Sequence, residues 1–304
     1  MAEKFTAPDP SRDLQNLVFY PHAKIFSLVT SYQSSISEVG PTLNSSATES
    51  KSTSTSYSQI PITLSYGVTD RVRFSIAQTE LIQQIQQSTN INSGALTTNS
   101  SSGPSSTSFS IIWRYLNSPT KNKFADFNMT ISPQNGTHLA ATSGQVGNNL
   151  NAATNTTLSL PFYWYFSDEE VEINLSAIYH SNGVSQGPTA ATSTFTPDQY
   201  VSGSIAISER SHINNKLYLQ PILTVSLPYS YSYINQGSGV QTLNNYATTL
   251  NPQIQLGYLP KSWCLFTFAI SYSSSSYSST APPSTANQTT DYDSTTSAGV
   301  RILF

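Results

Sequence analysis

Charge is scarce in this 304-residue chain. Asp, Glu, Lys and Arg together make up 10%, against roughly 25% in ordinary soluble domains. Cysteine is nearly absent. Cys264 is the only one, so neither an intrachain disulfide nor a Cys-based metal site can form. Long apolar runs are missing too. The stretch 263–270 is among the longest and contains a Thr, far short of the ~18 apolar residues a membrane helix needs. The net charge of −3 and the lack of a basic stripe argue against nucleic acid as a partner. No Gly-rich phosphate loop is present. His22, His138 and His212 show no metal-ligand spacing, so no metal or cofactor is expected. No apolar core follows Met1-Ala-Glu-Lys4, so the sequence reads as lacking a signal peptide, as a mature exported chain would.

What fills the chain is Ser, Thr, Asn, Gln and Tyr. Hydrophobic content is 37% and aromatic content 11%. Abundant aromatics with small net charge do not fit disorder. They do fit a membrane-spanning β-barrel wall, where only every second residue must be apolar and the inner face can be polar.

The period-two pattern is clear along the chain. Ile60, Ile62, Leu64 and Tyr66 alternate with polar residues, and Val72, Phe74 and Ile76 do so after the turn 67–70. Phe109, Ile111, Trp113 and Tyr115 follow, then Phe127, Met129 and Ile131. Leu158 to Phe166, Val171 to Tyr179, and Val201, Ile205 and Ile207 repeat it. Residues 217–233 read as the longest strand, with Leu217, Leu219, Leu223, Val225, Leu227, Tyr229, Tyr231 and Tyr233 on one face. Leu250 to Tyr258, Phe266 to Tyr272 and the last eight residues complete about twelve strands. The first strand, 23–36, is ambiguous, because Phe26, Leu28 and Tyr32 compete with Ile25 and Val29 for the apolar face.

Short polar turns alternate with long Ser/Thr/Asn loops, read at 86–107, 133–151, 181–196, 235–245 and 273–294. An all-β, up-and-down antiparallel barrel with both termini periplasmic has this layout. Residues 1–21 then form an N-terminal periplasmic segment and 22–304 the barrel. Tyr66, Tyr115, Phe166, Tyr229 and Tyr258 sit near strand ends, where interfacial girdles belong. Pro221 and Pro252 fall on the lipid side, and each removes a ladder donor and predicts local distortion or a bulge.

The chain ends Ser297-Ala-Gly-Val-Arg-Ile-Leu-Phe304. Ser297, Gly299, Ile302 and Phe304 fill the places of the C-terminal signal of Gram-negative outer-membrane β-barrels, which this stretch resembles. The resemblance implies recognition by the barrel-assembly machinery, closure of the last strand on the first, and a lipid and lipopolysaccharide surround. Tyr66-Gly-Val-Thr-Asp-Arg71 is similar to turns common in outer-membrane channel proteins. The layout resembles the phenol-degradation-type outer-membrane transporters.

The same register puts Arg73, Arg114, Asp126, Glu172, His180, Lys216 and Arg301 on the lumen face, away from lipid. Together with Ser, Thr, Asn and Gln they predict a narrow, polar-lined passage for small hydrophilic solutes. The alternative is a plugged barrel that scaffolds a lipoprotein, a surface complex or further copies of itself. A third reading starts from His180-Ser181-Asn182-Gly183, which resembles the His-x-Ser-Asn-Gly of outer-membrane phospholipase A. The spacer residue is missing here, so adjacent side chains diverge. No catalytic residues are assigned, and the chain is not expected to be an enzyme.

Overall fold

A computed structural model describes residues 23–43, 50–90, 94, 96–133, 140–141, 150–151, 154–166, 169–181, 185–186, 194–235, 239, 241–280 and 287–304. Twelve antiparallel strands close into a barrel. They are β1 (Phe26–Leu43), β2 (Ser50–Thr69), β3 (Val72–Asn90), β4 (Leu96–Ser118), β5 (Lys123–Ser132) and β6 (Asn155–Phe166). There follow β7 (Glu169–His180), β8 (Tyr200–Asn214), β9 (Leu217–Ser226), β10 (Thr249–Lys261), β11 (Cys264–Thr280) and β12 (Asn287–Leu303). Every strand pairs with its neighbours in the chain. β12 closes on β1 from Ser27↔Leu303 to Val39↔Asp291. The predicted N-terminal segment 1–21 lies outside the described residues.

The barrel is inside-out relative to a soluble domain. Phe74, Trp113, Phe166, Leu223, Ile254 and Phe268 all lie exposed on its outer wall. In β1 the ambiguity resolves: Phe26, Tyr32 and Ile36 face out, whereas Ser27 and Ser35 are buried inside. Water would not tolerate so continuous an apolar band, but a bilayer requires one.

Two stretches read as loops are strands. β3 continues to Asn90 and β4 starts at Leu96, within the predicted loop 86–107. β11 and β12 likewise invade 273–294. The physical reason is that strands protruding beyond the bilayer are wet on both faces. Ser, Thr and Gln then suffice on either side, and the alternation vanishes although the hydrogen-bond ladder continues.

The predicted strand 217–233 is broken. Leu227–Pro228 and Ala247–Thr248 leave the ladder opposite each other, and Asp198–Gln199 leave it further along, where the Asp198 N–H donates to the Ser232 carbonyl oxygen. Thr194–Pro197, Tyr229–Asn235 and Gln241–Tyr246 carry the sheet on beyond it. The pairing sum between the two segments is unchanged, from Ser226↔Thr249 to Tyr229↔Tyr246. The faces, however, exchange. Below the break Leu223 and Leu227 point to lipid; above it Ile234 and Leu243 are exposed and Thr242 and Asn244 are buried. Tyr229, Tyr231 and Tyr233 therefore leave the lipid face to which the sequence assigned them, and Tyr229 is no girdle residue. The bulges expected at Pro221 and Pro252 are absent from the β9–β10 pairing, whose register runs unbroken through Pro221↔Ile254 and Leu223↔Pro252.

Candidate lumen site

Short turns gather at one end of the barrel and long connections at the other. Near the short-turn end, the inner wall carries a packed ionic layer. Arg114 Nε and Nη2 donate to Asp126 Oδ1 and Oδ2 at 2.7 and 3.0 Å. This two-pronged pair joins adjacent strands at the register Arg114↔Asp126. Its guanidinium also lies 5.5 Å from the Phe124 ring and 5.9 Å from that of Tyr163. On β7 and β8, Glu170 Oε1 lies 2.7 Å from His212 Nε2. Arg210 donates through Nε and Nη2 to Gln220 Oε1, at 3.1 and 2.7 Å, and Gln220 Nε2 donates to Ser208 Oγ.

Tyr218 anchors this layer. The Arg210 guanidinium stands 3.9 Å from the centre of its ring, and Gln255 Nε2 donates to its hydroxyl at 2.7 Å. The ring lies over Gly257, where a Cβ would come within 2.0 Å of it. Only glycine fits opposite Tyr218 at that register. Leu259 and Leu265 complete a small apolar cluster beside the ring. Arg114, Phe124, Glu170 and Tyr218 are the largest fully buried side chains, at 0–1% exposure. Arg73, Tyr163, Glu172 and Arg301 are also inward-facing but retain partial access.

Higher up, the wall is hydroxyl-rich, and near the long-loop mouth Asp291 and Asp293 add charge to it. Ser75 donates to Ser65, Ser110 meets Thr130, Gln59 donates to Gln33, and Ser35 meets Thr295. At the long-loop end the face exchange builds an aromatic ladder across five adjacent strand segments. His180 stacks on Tyr200 at 4.1 Å, Tyr200 on Tyr229 at 5.5 Å, Tyr229 on Tyr246 at 4.7 Å and Tyr246 on Tyr277 at 5.0 Å. Tyr231 joins at 4.6 Å from Tyr200.

The structure thus places Arg73, Arg114, Asp126, Glu172 and Arg301 in one electrostatic cluster and His180 apart from them, in the ladder. Lys216 is not in the lumen. It is exposed in the turn between Asn214 and Leu217, past the end of the strand from which its face was extrapolated. Glu170, Arg210, His212 and Tyr218 were missed. The stretches 168–170 and 210–215 read as turns, yet the alternation of Ser208, Arg210 and His212, and of Glu170 and Glu172, carries the signal.

His180 does not meet Ser181. Its Nδ1 is 3.0 Å from Asn155 Oδ1 and its Nε2 is 3.0 Å from Ser202 Oγ. The Ser181 hydroxyl accepts the Thr154 N–H at 2.9 Å. At the closing seam, a Cβ on Gly299 would lie 2.9 Å from Ser31 Cβ, and Phe304 stacks on Phe26 at 5.8 Å. Ser297 pairs with Gln33, and Ile302 with Leu28.

No protein-family model matches this chain, and no curated protein does. Solved structures do. An outer membrane channel from Pseudomonas putida F1 is similar over 94% of this chain and 97% of its own, at 10% identity and a TM-score of 0.56. The Pseudomonas putida toluene transporter TodX is similar over 94% and 90%, at 10% identity and a TM-score of 0.45. The outer membrane protease OmpT from Escherichia coli is similar over 92% and 97%, at 8% identity and a TM-score of 0.36. The chain has the fold of a Gram-negative outer-membrane barrel, and its apolar outer band places it in a bacterial outer membrane. The expectation that it is not an enzyme is withdrawn, because a shared barrel fold says nothing about catalysis.

Proposed function

We propose that this barrel is a narrow passage for small hydrophilic solutes, with its short-turn end and both termini on the periplasmic side. The observation that carries the reading is the inner wall. From the ionic layer to the long-loop mouth it is lined mainly with Ser, Thr, Asn and Gln side chains, some buried and some with partial access, with Asp291 and Asp293 near the mouth and an aromatic ladder beside them. A wall of neutral hydrogen-bonding groups replaces a solute's hydration at little cost, and a charged narrowing sets which solutes pass. The shared fold with an outer membrane channel is in keeping with this.

The full burial of Arg114, Phe124, Glu170 and Tyr218 favours a second reading, a sealed barrel that serves as a scaffold. Single-channel recording of the refolded protein in a planar bilayer separates them. Stable conductance steps are expected for a passage. A folded barrel, shown by heat-modifiable gel mobility, that stays silent at all voltages would replace the first reading with the second. We also read the C-terminal strand as the element the assembly machinery recognises.

A further inference from the structure

The ionic layer has a sign. Its inward-facing groups come from seven strands: Arg73 on β3, Arg114 on β4, Asp126 on β5, Tyr163 on β6, Glu170 and Glu172 on β7, Arg210 and His212 on β8, and Arg301 on β12. Among the described residues, four arginines face three carboxylates, so the layer is positive by one before His212 adds anything. Two of the carboxylates are engaged at 2.7 Å, Asp126 by Arg114 and Glu170 by His212. The third, Glu172, lies within electrostatic reach of Arg210. Arg301 in turn lies within reach of both Arg73 and Arg210, which brings three guanidinium groups to one level of the lumen.

Burial sorts these groups by role. The Arg114–Asp126 and Glu170–His212 pairs are locked into the wall. Arg73, Glu172 and Arg301 face inward and are less completely buried than those pairs. Two of those three are cations.

We infer that the ionic layer is an anion-preferring constriction, with Arg73 and Arg301 as its selectivity residues and small anions as the favoured solutes. The inference rests on the passage reading and adds the solute's charge to it. Beyond the three carboxylates of the layer itself, the other inward-facing carboxylates described are remote. Asp291 and Asp293 face inward near the other mouth, and Asp293 lies eight residues up β12 from Arg301. Eight residues of strand span roughly 26 Å, beyond the ~8 Å screening length at physiological salt. Where the lumen narrows, water is displaced and the nearest fixed charges dominate.

The test is a reversal-potential measurement in a bilayer under a potassium chloride gradient, on the wild type, Arg73→Gln, Arg301→Gln and Glu172→Gln. The chloride-to-potassium permeability ratio is expected above one in the wild type. It should fall by about threefold in each arginine variant and rise by about threefold in Glu172→Gln. The opposite sign of the Glu172→Gln effect separates charge from misfolding, since damage to the barrel shifts all variants alike. Conductance with potassium preference, or a ratio unmoved by any of the three, overturns the inference and leaves the passage intact. Absence of conductance in the wild type overturns the passage reading and this inference with it.

Discussion

The two ends of the lumen are built on opposite plans. At the short-turn end, charged side chains are dehydrated and held by paired hydrogen bonds, by Phe124 and Tyr218, and by the vacancy over Gly257. At the long-loop end, tyrosines stack face to face with no ion pair among them. The first arrangement is specific but brittle. Dehydrated charges are stable only while each keeps its partner. The second is tolerant, since stacked rings gain from area and dispersion and any one of them contributes modestly. The same closed sheet therefore has a rigid end and a forgiving one.

Mutations can break that contrast. The largest effect is expected at the ionic end. Arg114→Ala strands Asp126 in a buried site and should cost about 3–5 kcal/mol. This is read as a lower midpoint in urea unfolding of the lipid-reconstituted barrel. Arg114→Ala with Asp126→Ala should recover much of the loss, and failure to do so would mean that the pair is not what holds this end. Gly257→Ala comes next, because the added methyl meets the Tyr218 ring. The cost should be about 1–3 kcal/mol, and Gly257→Ala combined with Tyr218→Ala should be less than additive. The smallest effect belongs to the ladder. Tyr246→Ala should cost only about 0.5–1.5 kcal/mol beyond its lost burial. A Tyr246→Ala loss as large as that of Arg114→Ala would erase the distinction between the two ends.

Much of the barrel was legible because lipid enforces alternation. Leu158 to Phe166 and Val171 to Tyr179 could be read residue by residue, since each outward position must be apolar. The reading failed wherever lipid stops acting. Above the bilayer, 86–90 and 96–107 pair as strands with no apolar signature. At the turns, Lys216 was carried onto a face that its strand no longer had. Tyr229, Tyr231 and Tyr233 continued the odd-numbered pattern of Leu217–Leu227 without a fault, and nothing in that pattern announces that the face has changed. Pro228 was the one available signal, as a residue that cannot donate to the ladder. The ionic layer was half visible. Arg73, Arg114, Asp126, Glu172 and Arg301 stand out as rare charges, whereas Tyr218 and Gly257 become meaningful only as partners.

The break at Leu227–Pro228 and Ala247–Thr248 behaves as a waterline drawn in the chain itself. Below it an odd-numbered position of the Leu217 strand is addressed to lipid; above it the same parity is addressed to water. Substitutions therefore change meaning across two residues. An apolar side chain that belongs at Leu223 would be a wetted patch in the mouth at Tyr231, and a polar one tolerated at Tyr231 would be an intrusion into the bilayer at Leu223. On this side of the barrel the change of face is thus set by where the Leu217 and Thr249 strands interrupt their pairing. Moving that interruption by one turn of pleat would lift or sink the whole wall without altering a single cross-strand partner.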